Sequence, residues 1–337
     1  MFSYFIRRAL LIIPTFLGIT VMVFAITRLV PGGPIERAIA QAQQTAMESG
    51  SDKFNNGQLS PEQMEQLKAY YGFDKPILVS YVEWLGKIVT WDLGTSTRYH
   101  EPVWDIIKDR FPISIFYGVT TMILTYLVCI PLGLTKAIKH GTAYDNISSL
   151  LVFVGYAIPG FVVGILLILV FASHLEWFPI GGFTSDEFEE FSLWGQIKDI
   201  LHHAFLPLIS YMMGSFAVMT FLMKNSLLDH LGSDYVRTAI AKGVTFRGAV
   251  FKHALKNSLV PIATHFGNNI SVILAGSFLI EKVFDIDGFG LLGYESVLER
   301  DYPVVMGILV ISALLQLVGN ILSDVCVALV DPRVQFK

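Results

Sequence analysis

Residues 113–134 read ISIFYGVTTMILTYLVCIPLGL, twenty-two residues without one charged side chain. A bilayer-crossing helix needs about 20 mostly apolar residues, so this stretch predicts a membrane span. Five further stretches pass the same test: Ala9–Val30, Ile147–Ala172, Ala204–Met223, Val260–Ile280 and Pro303–Val330. In hydrocarbon every backbone N–H and C=O needs an internal partner, which excludes lipid-exposed loops and open sheets. The expected fold is therefore an all-α integral membrane protein with six transmembrane helices.

Composition agrees. The chain has 337 residues, 53% hydrophobic and only 15% charged, where a soluble domain carries about 25% charged residues. A net charge of -4 gives no sign of nucleic-acid binding. Cys129 and Cys326 both lie in apolar runs, so no disulfide framework is expected. Arg7 and Arg8 make a basic start, but the apolar run behind them is long. No small-x-small cleavage pattern precedes the break at 31–34, so the first span reads as an uncleaved helix.

Orientation follows from where Lys and Arg fall. With the N-terminus inside, the inner segments hold Arg7, Arg8, Lys136, Lys139, Lys224, Arg237, Lys242, Arg247, Lys252, Lys256, Arg333 and Lys337. The short outer loops, 173–203 and 281–302, hold only Lys198, Lys282 and Arg300. Both termini are predicted to be cytoplasmic. Between the first two spans, residues 31–112 are of mixed composition and predict a small extracytoplasmic subdomain. Ser60, Pro61, Gln63 and Gly72 signal one short helix there, and the apolar stretch Ile77–Val89 offers a packing partner. The expected organisation is a first span over 1–30, the outer subdomain over 31–112, a five-helix core over 113–330 with an inner loop at 224–259, and a tail at 331–337.

That inner loop contains RTAIAKGVTFRGAVFKHALK, residues 237–256, with five cations and no carboxylate. Ser233 and Asp234 start a helix, Gly243 stops it in a left-handed turn, and Thr245 caps a second helix. The bland reading is a set of cations that anchor the chain at the inner surface. An anchor does not require caps, a glycine stop and small residues at Ala239, Ala241 and Ala249, so a docking element for a cytosolic protein is favoured.

The same residues resemble the cytoplasmic loop of ABC-importer permeases, patterned E-A-A, three residues, G, nine residues, I-x-L-P. Arg237-Thr238-Ala239 stands at E-A-A and Gly243 at G. His253 and Leu255 occupy the I and L positions, Lys256 replaces the proline, and Pro261 follows five residues later. These departures resemble the dipeptide and oligopeptide branch, as do YFIRRALLIIPTFLGITVMVF, YGFDKP, AIPGFVVGILLIL, RDYPVVMG and the closing DPRV. PGGP, GYAIPGF and LLGYESVLERDYPV are similar to B-type permeases of the microcin C and oligopeptide importers of Gram-negative bacteria. The likeness covers nearly the whole chain.

The resemblance implies a type I importer permease in the bacterial inner membrane that carries peptide. It implies a second, C-type permease, one or more ATPase subunits that bind ATP and Mg, an extracytoplasmic peptide-binding protein and surrounding lipid. It places the ATPase contact at Asp234, Arg237, Thr238, Ala239, Ala241, Lys242, Gly243, Arg247 and His253. ATP-driven closure of the ATPase domains would draw such hairpins together and turn the spans from inward- to outward-facing, through a different affinity for the two states.

No G-x-x-x-x-G-K-[ST] occurs, so no ATP site, cofactor or catalytic residue is expected in this chain. Gly288-Phe-Gly290-Leu-Leu-Gly293 fits a dinucleotide fingerprint by letter, but no βαβ unit surrounds it and glycine turns explain it. His202 and His203 would point about 100° apart on a helix, poor metal geometry, and no metal site is expected. Gly160 and Gly164 have the spacing that lets membrane helices approach closely.

Polar residues inside spans mark a candidate translocation path: Thr264, His265, Asn268 and Asn269 in the fifth, Gln316, Asn320 and Asp324 in the sixth. Hydrogen bonding between helices is the other reading of the same residues. A different function class, an ion-coupled carrier, would use Asp324 or His265 as its proton site; such carriers usually show inverted repeats, which are not visible here. An intramembrane hydrolase would need a nucleophile and base at membrane depth, and no such set appears.

Overall fold

The computed structural model describes residues 2–29, 62, 65, 74–266 and 276–330. Among them the chain is helical, with a lone bridge between Thr95 and Pro102 in place of any strand. In chain order the helices are α1 (Phe2–Leu29), α2 (Ile77–Val89), α3 (Val103–Ile138), α4 (Ala143–Ala157) and α5 (Gly160–Leu167), which runs on as a π-helical turn, Ile168–His174. Next come α6 (Leu193–Leu231), α7 (Asp234–Ala241) and α8 (Phe246–Ala249). A second π-helical turn, Val250–Ala254, leads to α9 (Leu255–Ser258), and α10 (Phe278–Val283), α11 (Phe289–Leu298) and α12 (Tyr302–Val330) complete the chain.

Among the described residues, α3, α6 and α12 are each long and apolar enough to cross a bilayer. At 1.5 Å per residue α3 is about 54 Å long and α6 about 58 Å, so both outrun the spans predicted inside them. Helix α1 covers the first predicted span. The fifth is helical over 260–266, and 267–275 lie outside the described residues. The helix expected around Ser60–Gly72 also falls almost wholly outside them, whereas the apolar stretch Ile77–Val89 is a helix.

The third predicted span needs correction. Residues 147–172 do not form one rod: α4 and α5 with its π-helical extension meet at 94°. Ile158 is extended (ψ 122°) and Pro159 has ψ 138°, because a proline pushes the residue before it out of the helical region. The bend is held by a close approach. A Cβ on Gly160 would lie 2.5 Å from the Ser210 carbonyl oxygen of α6.

The chain divides into two compact units. The first comprises Met1–Ala9, Arg110–Leu292 and Leu315–Lys337, the second Leu10–Asp109 and Gly293–Leu314. In the first, two cores form along α6. Near its N-terminal half, Tyr117, Ala172, Ala204, Leu206, Leu208, Ile280, Phe284 and Ile286 pack together. Near its C-terminal half, Cys129, Ala137, Met219, Met223 and Leu227 do so.

Gly288, the first of the fingerprint-like glycines, has a clear structural cause. Glu281 is buried and accepts from the N–H of Leu291 (2.6 Å), the N–H of Ser277 (3.1 Å) and the Tyr211 hydroxyl (3.1 Å). Its carboxylate sits at the N-terminus of α11, where N–H groups lack helical partners. A Cβ on Gly288 would fall 2.6 Å from that carboxylate, so only glycine fits.

In the second unit, α2 lays Tyr81 and Trp84 against Phe24 of α1, with ring centroids 5.5 and 5.6 Å away. The Tyr81 hydroxyl meets Thr20 Oγ1 at 2.9 Å. Buried Asp301 gathers the segment after α2, accepting from the Ser96 hydroxyl and from the N–H groups of Thr97 and Arg98 at 3.2 Å. The Arg98 guanidinium in turn pairs with Glu295 (3.3 Å) and Glu299 (2.9 Å).

Candidate functional site

The segment 233–258 folds as the hairpin its sequence predicts. Helix α7 begins at Asp234, with the N–H groups of Val236 and Arg237 donating to the Ser233 carbonyl at 3.2 Å. The Ser233 hydroxyl does not cap α7; it donates to the His230 carbonyl at the end of α6. At the other end Gly243 has φ +91°. Val244 N–H donates to the Ala239 carbonyl at 3.1 Å and Gly243 N–H to the Ile240 carbonyl at 2.9 Å. This pair of bonds is the Schellman closure of a helix. The Thr245 hydroxyl then accepts from Gly248 N–H at 3.2 Å and starts α8.

One face of the hairpin is sealed into its own chain. Val236, Ala249, Val250 and Ala254 are fully buried among Met219, Met223 and Leu227 of α6, Cys129 and Ala137 of α3, and Ile262. Ala249, read from sequence as a small residue for close docking, instead faces this inner core. The Ser226 hydroxyl of α6 donates to the Ser258 carbonyl at 3.0 Å. Asn257 donates to the Tyr235 hydroxyl at 3.1 Å, and that hydroxyl meets His230 Nδ1 at 3.0 Å.

The other face is open. Asp234, Arg237, Thr238, Ala241, Lys242, Gly243, Arg247 and His253 are exposed and Ala239 half-buried. Asp234 and Arg237 stand 3.9 Å apart, with the Arg237 side chain 72% exposed. Tyr235, Ile240, Phe246 and Phe251 are exposed beside these cations. A surface of aromatic and aliphatic groups rimmed by cations suits an acidic protein partner with apolar pockets.

Sequence reading missed a buried ionic cluster among α3, α4 and α6. Lys136 and Lys224, counted above among the cations of the inner segments, are buried, and Asp145 of α4 lies between them. Lys224 Nζ donates to both carboxylate oxygens, at 2.7 and 2.8 Å. Lys136 Nζ lies 3.3 Å from the carboxylate and donates to the Asp145 carbonyl (3.0 Å) and to the hydroxyls of Ser148 and Ser149 (2.8 Å each). Gly141 N–H and His140 Nδ1 each approach at 3.2 Å. Burial opposes the Asp145 charge, but the bonds from Lys224, Gly141 and Lys136 outweigh it and hold the carboxyl well below its usual range. Lys224 is 79 residues from Asp145, so no local spacing announces the pair.

Of the candidate path residues, Thr264 is exposed and its hydroxyl donates to its own helix at Val260 (3.1 Å). The Thr264 carbonyl accepts from Ser323 of α12 at 2.6 Å, a residue not singled out from sequence. Gln316, exposed, donates to Asn320 one turn on, at 3.3 Å. His265 and Asp324 are half-buried. Asn268 and Asn269 lie outside the described residues.

Comparison with known proteins bears on this arrangement. Residues 129–336 match the family described as "Binding-protein-dependent transport system inner membrane component". The chain is 38% identical to the peptidoglycan transport system permease protein YejB of Agrobacterium fabrum, over 99% of this chain and 98% of that protein. It is 36% identical to the oligopeptide transport system permease protein AppB of Bacillus subtilis and 33% identical to the dipeptide transport system permease protein DppB of Escherichia coli, over the full length of each. The chain belongs to the binding-protein-dependent transport system inner membrane components, in the branch that holds these B-type permeases.

Proposed function

We propose that this chain is the B-type permease subunit of an ATP-driven importer that carries oligopeptides across the bacterial inner membrane. A C-type permease completes the pathway, a peptide-binding protein delivers cargo from outside, and separate ATPase subunits supply ATP and Mg. Both termini and the hairpin face the cytosol, residues 31–112 form the outer subdomain, and residues 224–259 form the coupling loop. Asp234, Arg237, Thr238, Ala239, Ala241, Lys242, Gly243, Arg247 and His253 meet the ATPase. Thr264, His265, Gln316, Asn320 and Asp324, with Asn268 and Asn269, line the path.

One observation carries the reading. The hairpin buries Val236, Ala249, Val250 and Ala254 in its own membrane helices while presenting Arg237, Lys242, Tyr235, Ile240 and Phe246 outward. Force on the outer face therefore reaches α3 and α6 through packed side chains. The peptide cargo rests on the likeness to YejB, AppB and DppB.

The test is uptake by the complex of this chain with its partner permease, ATPase and binding protein in vesicles. Peptide uptake should need hydrolysable ATP and persist with a proton uncoupler. Uptake abolished by the uncoupler but indifferent to ATP would refute the reading and favour an ion-coupled carrier.

A further inference from the structure

The cluster around Asp145 shares its supports with the hairpin. On α6, Met223, Ser226 and Leu227 grip the hairpin while Lys224, within the same turn and a half, grips Asp145. On α3, Ala137 packs into the hairpin core and its neighbour Lys136 holds the first turn of α4. One short layer of α3 and α6 thus seats two other elements, the coupling hairpin and the foot of α4. At the far end of α4 lies the break at Ile158–Pro159, where the path of the chain turns by 94°.

A buried carboxylate held by two buried ammonium groups has one satisfactory geometry. A slide of α4 by one helical turn is about 5.4 Å, and it would strand both ammonium groups in a dry layer at a steep desolvation cost. The foot of α4 must therefore travel with α3, α6 and the hairpin. At the Pro159 break no helical hydrogen bond joins α4 to α5, so the two need not move as one rod even though Gly160 packs on α6.

We propose that Asp145, with Lys136 and Lys224, is the latch of transport. It is a positioning residue that fastens the foot of α4 to the helices bearing the hairpin, so that displacement of the hairpin is delivered to the break at Pro159. This inference rests on the coupling role proposed above.

The experiment measures peptide uptake per ATP hydrolysed by the reconstituted complex, in which a purely architectural ion cluster would leave the ratio unchanged once assembled. Asp145→Asn should assemble and hydrolyse ATP with the ratio lowered about tenfold or more. The double variant Asp145→Asn with Lys224→Gln removes one stranded ammonium group. It should assemble at least as well and stay uncoupled, whereas Asp145→Glu, which keeps the charge, should recover much of the ratio. A ratio within twofold of wild type in either neutral variant overturns the latch. So does failure of both to assemble, which would make the cluster a folding element only. A wild-type complex whose uptake ignores ATP would instead defeat the coupling role itself, a separate outcome.

Discussion

Gly243 offers a quantitative test of the hairpin. Its φ of +91° is a conformation that an L-residue with a Cβ adopts at a cost of roughly 1–2 kcal/mol. Nothing lies within 4 Å of the position a Cβ would take, so crowding adds nothing and the cost of Gly243→Ala is backbone strain alone. That corresponds to a factor of about 5–30 in the population of the closed turn. Gly243→Asn should lose less than Ala although it is larger, because Asn tolerates the left-handed region. Gly243→Pro should lose most: it fixes φ near −65° and removes the N–H that donates to Ile240 at 2.9 Å. Titration of the purified ATPase onto the permease in nanodiscs should rank apparent affinity as Gly, Asn, Ala, Pro, with Ala weaker than Gly by no more than about 30-fold. An order that follows side-chain size, with Ala above Asn, would show that the position is limited by contact with the partner and would refute the strain account.

Arg237→Glu with Lys242→Glu changes exposed side chains, so the melting temperature of the isolated subunit should barely move, while ATPase-driven uptake collapses; unchanged uptake would remove these cations from the contact. Gly160→Ala places a methyl group 2.5 Å from the Ser210 carbonyl oxygen, whereas Gly214→Ala on α6 meets nothing within 4 Å. Detergent melting should drop by several degrees for the first and hold for the second, and equal effects would contradict the close packing at the break. Asp145 sets an acid limit. Its folded carboxyl is held below the unfolded value of about 4, so the stability it contributes is complete above that pH and is lost as the pH falls below it. With His140→Gln in both chains to silence the neighbouring imidazole, the melting difference between wild type and Asp145→Asn should stay level above about pH 5 and narrow below about pH 4. A difference that changes between about pH 5 and 8 would mean that another group titrates in the cluster.

Much of this protein is local in origin and was legible residue by residue. A run such as 113–134 makes a spanning helix because hydrocarbon leaves its backbone no other partner. The hairpin was equally readable: Gly243 and Thr245 act through hydrogen bonds that reach no more than five residues, as between Val244 and Ala239. Tertiary structure alone decided what lies far apart in the chain. Lys136 and Lys224 count only as cations of the inner segments until the fold brings Asp145 between them, and Ala249 counts as a docking residue until α6 covers it. Proline makes the same point. Pro14, Pro112, Pro131 and Pro207 sit inside continuous helices, while Pro159 breaks one. Proline restricts the residue before it at all five positions alike, so which of them ends a helix is set by how the flanking helices pack and not by the proline itself.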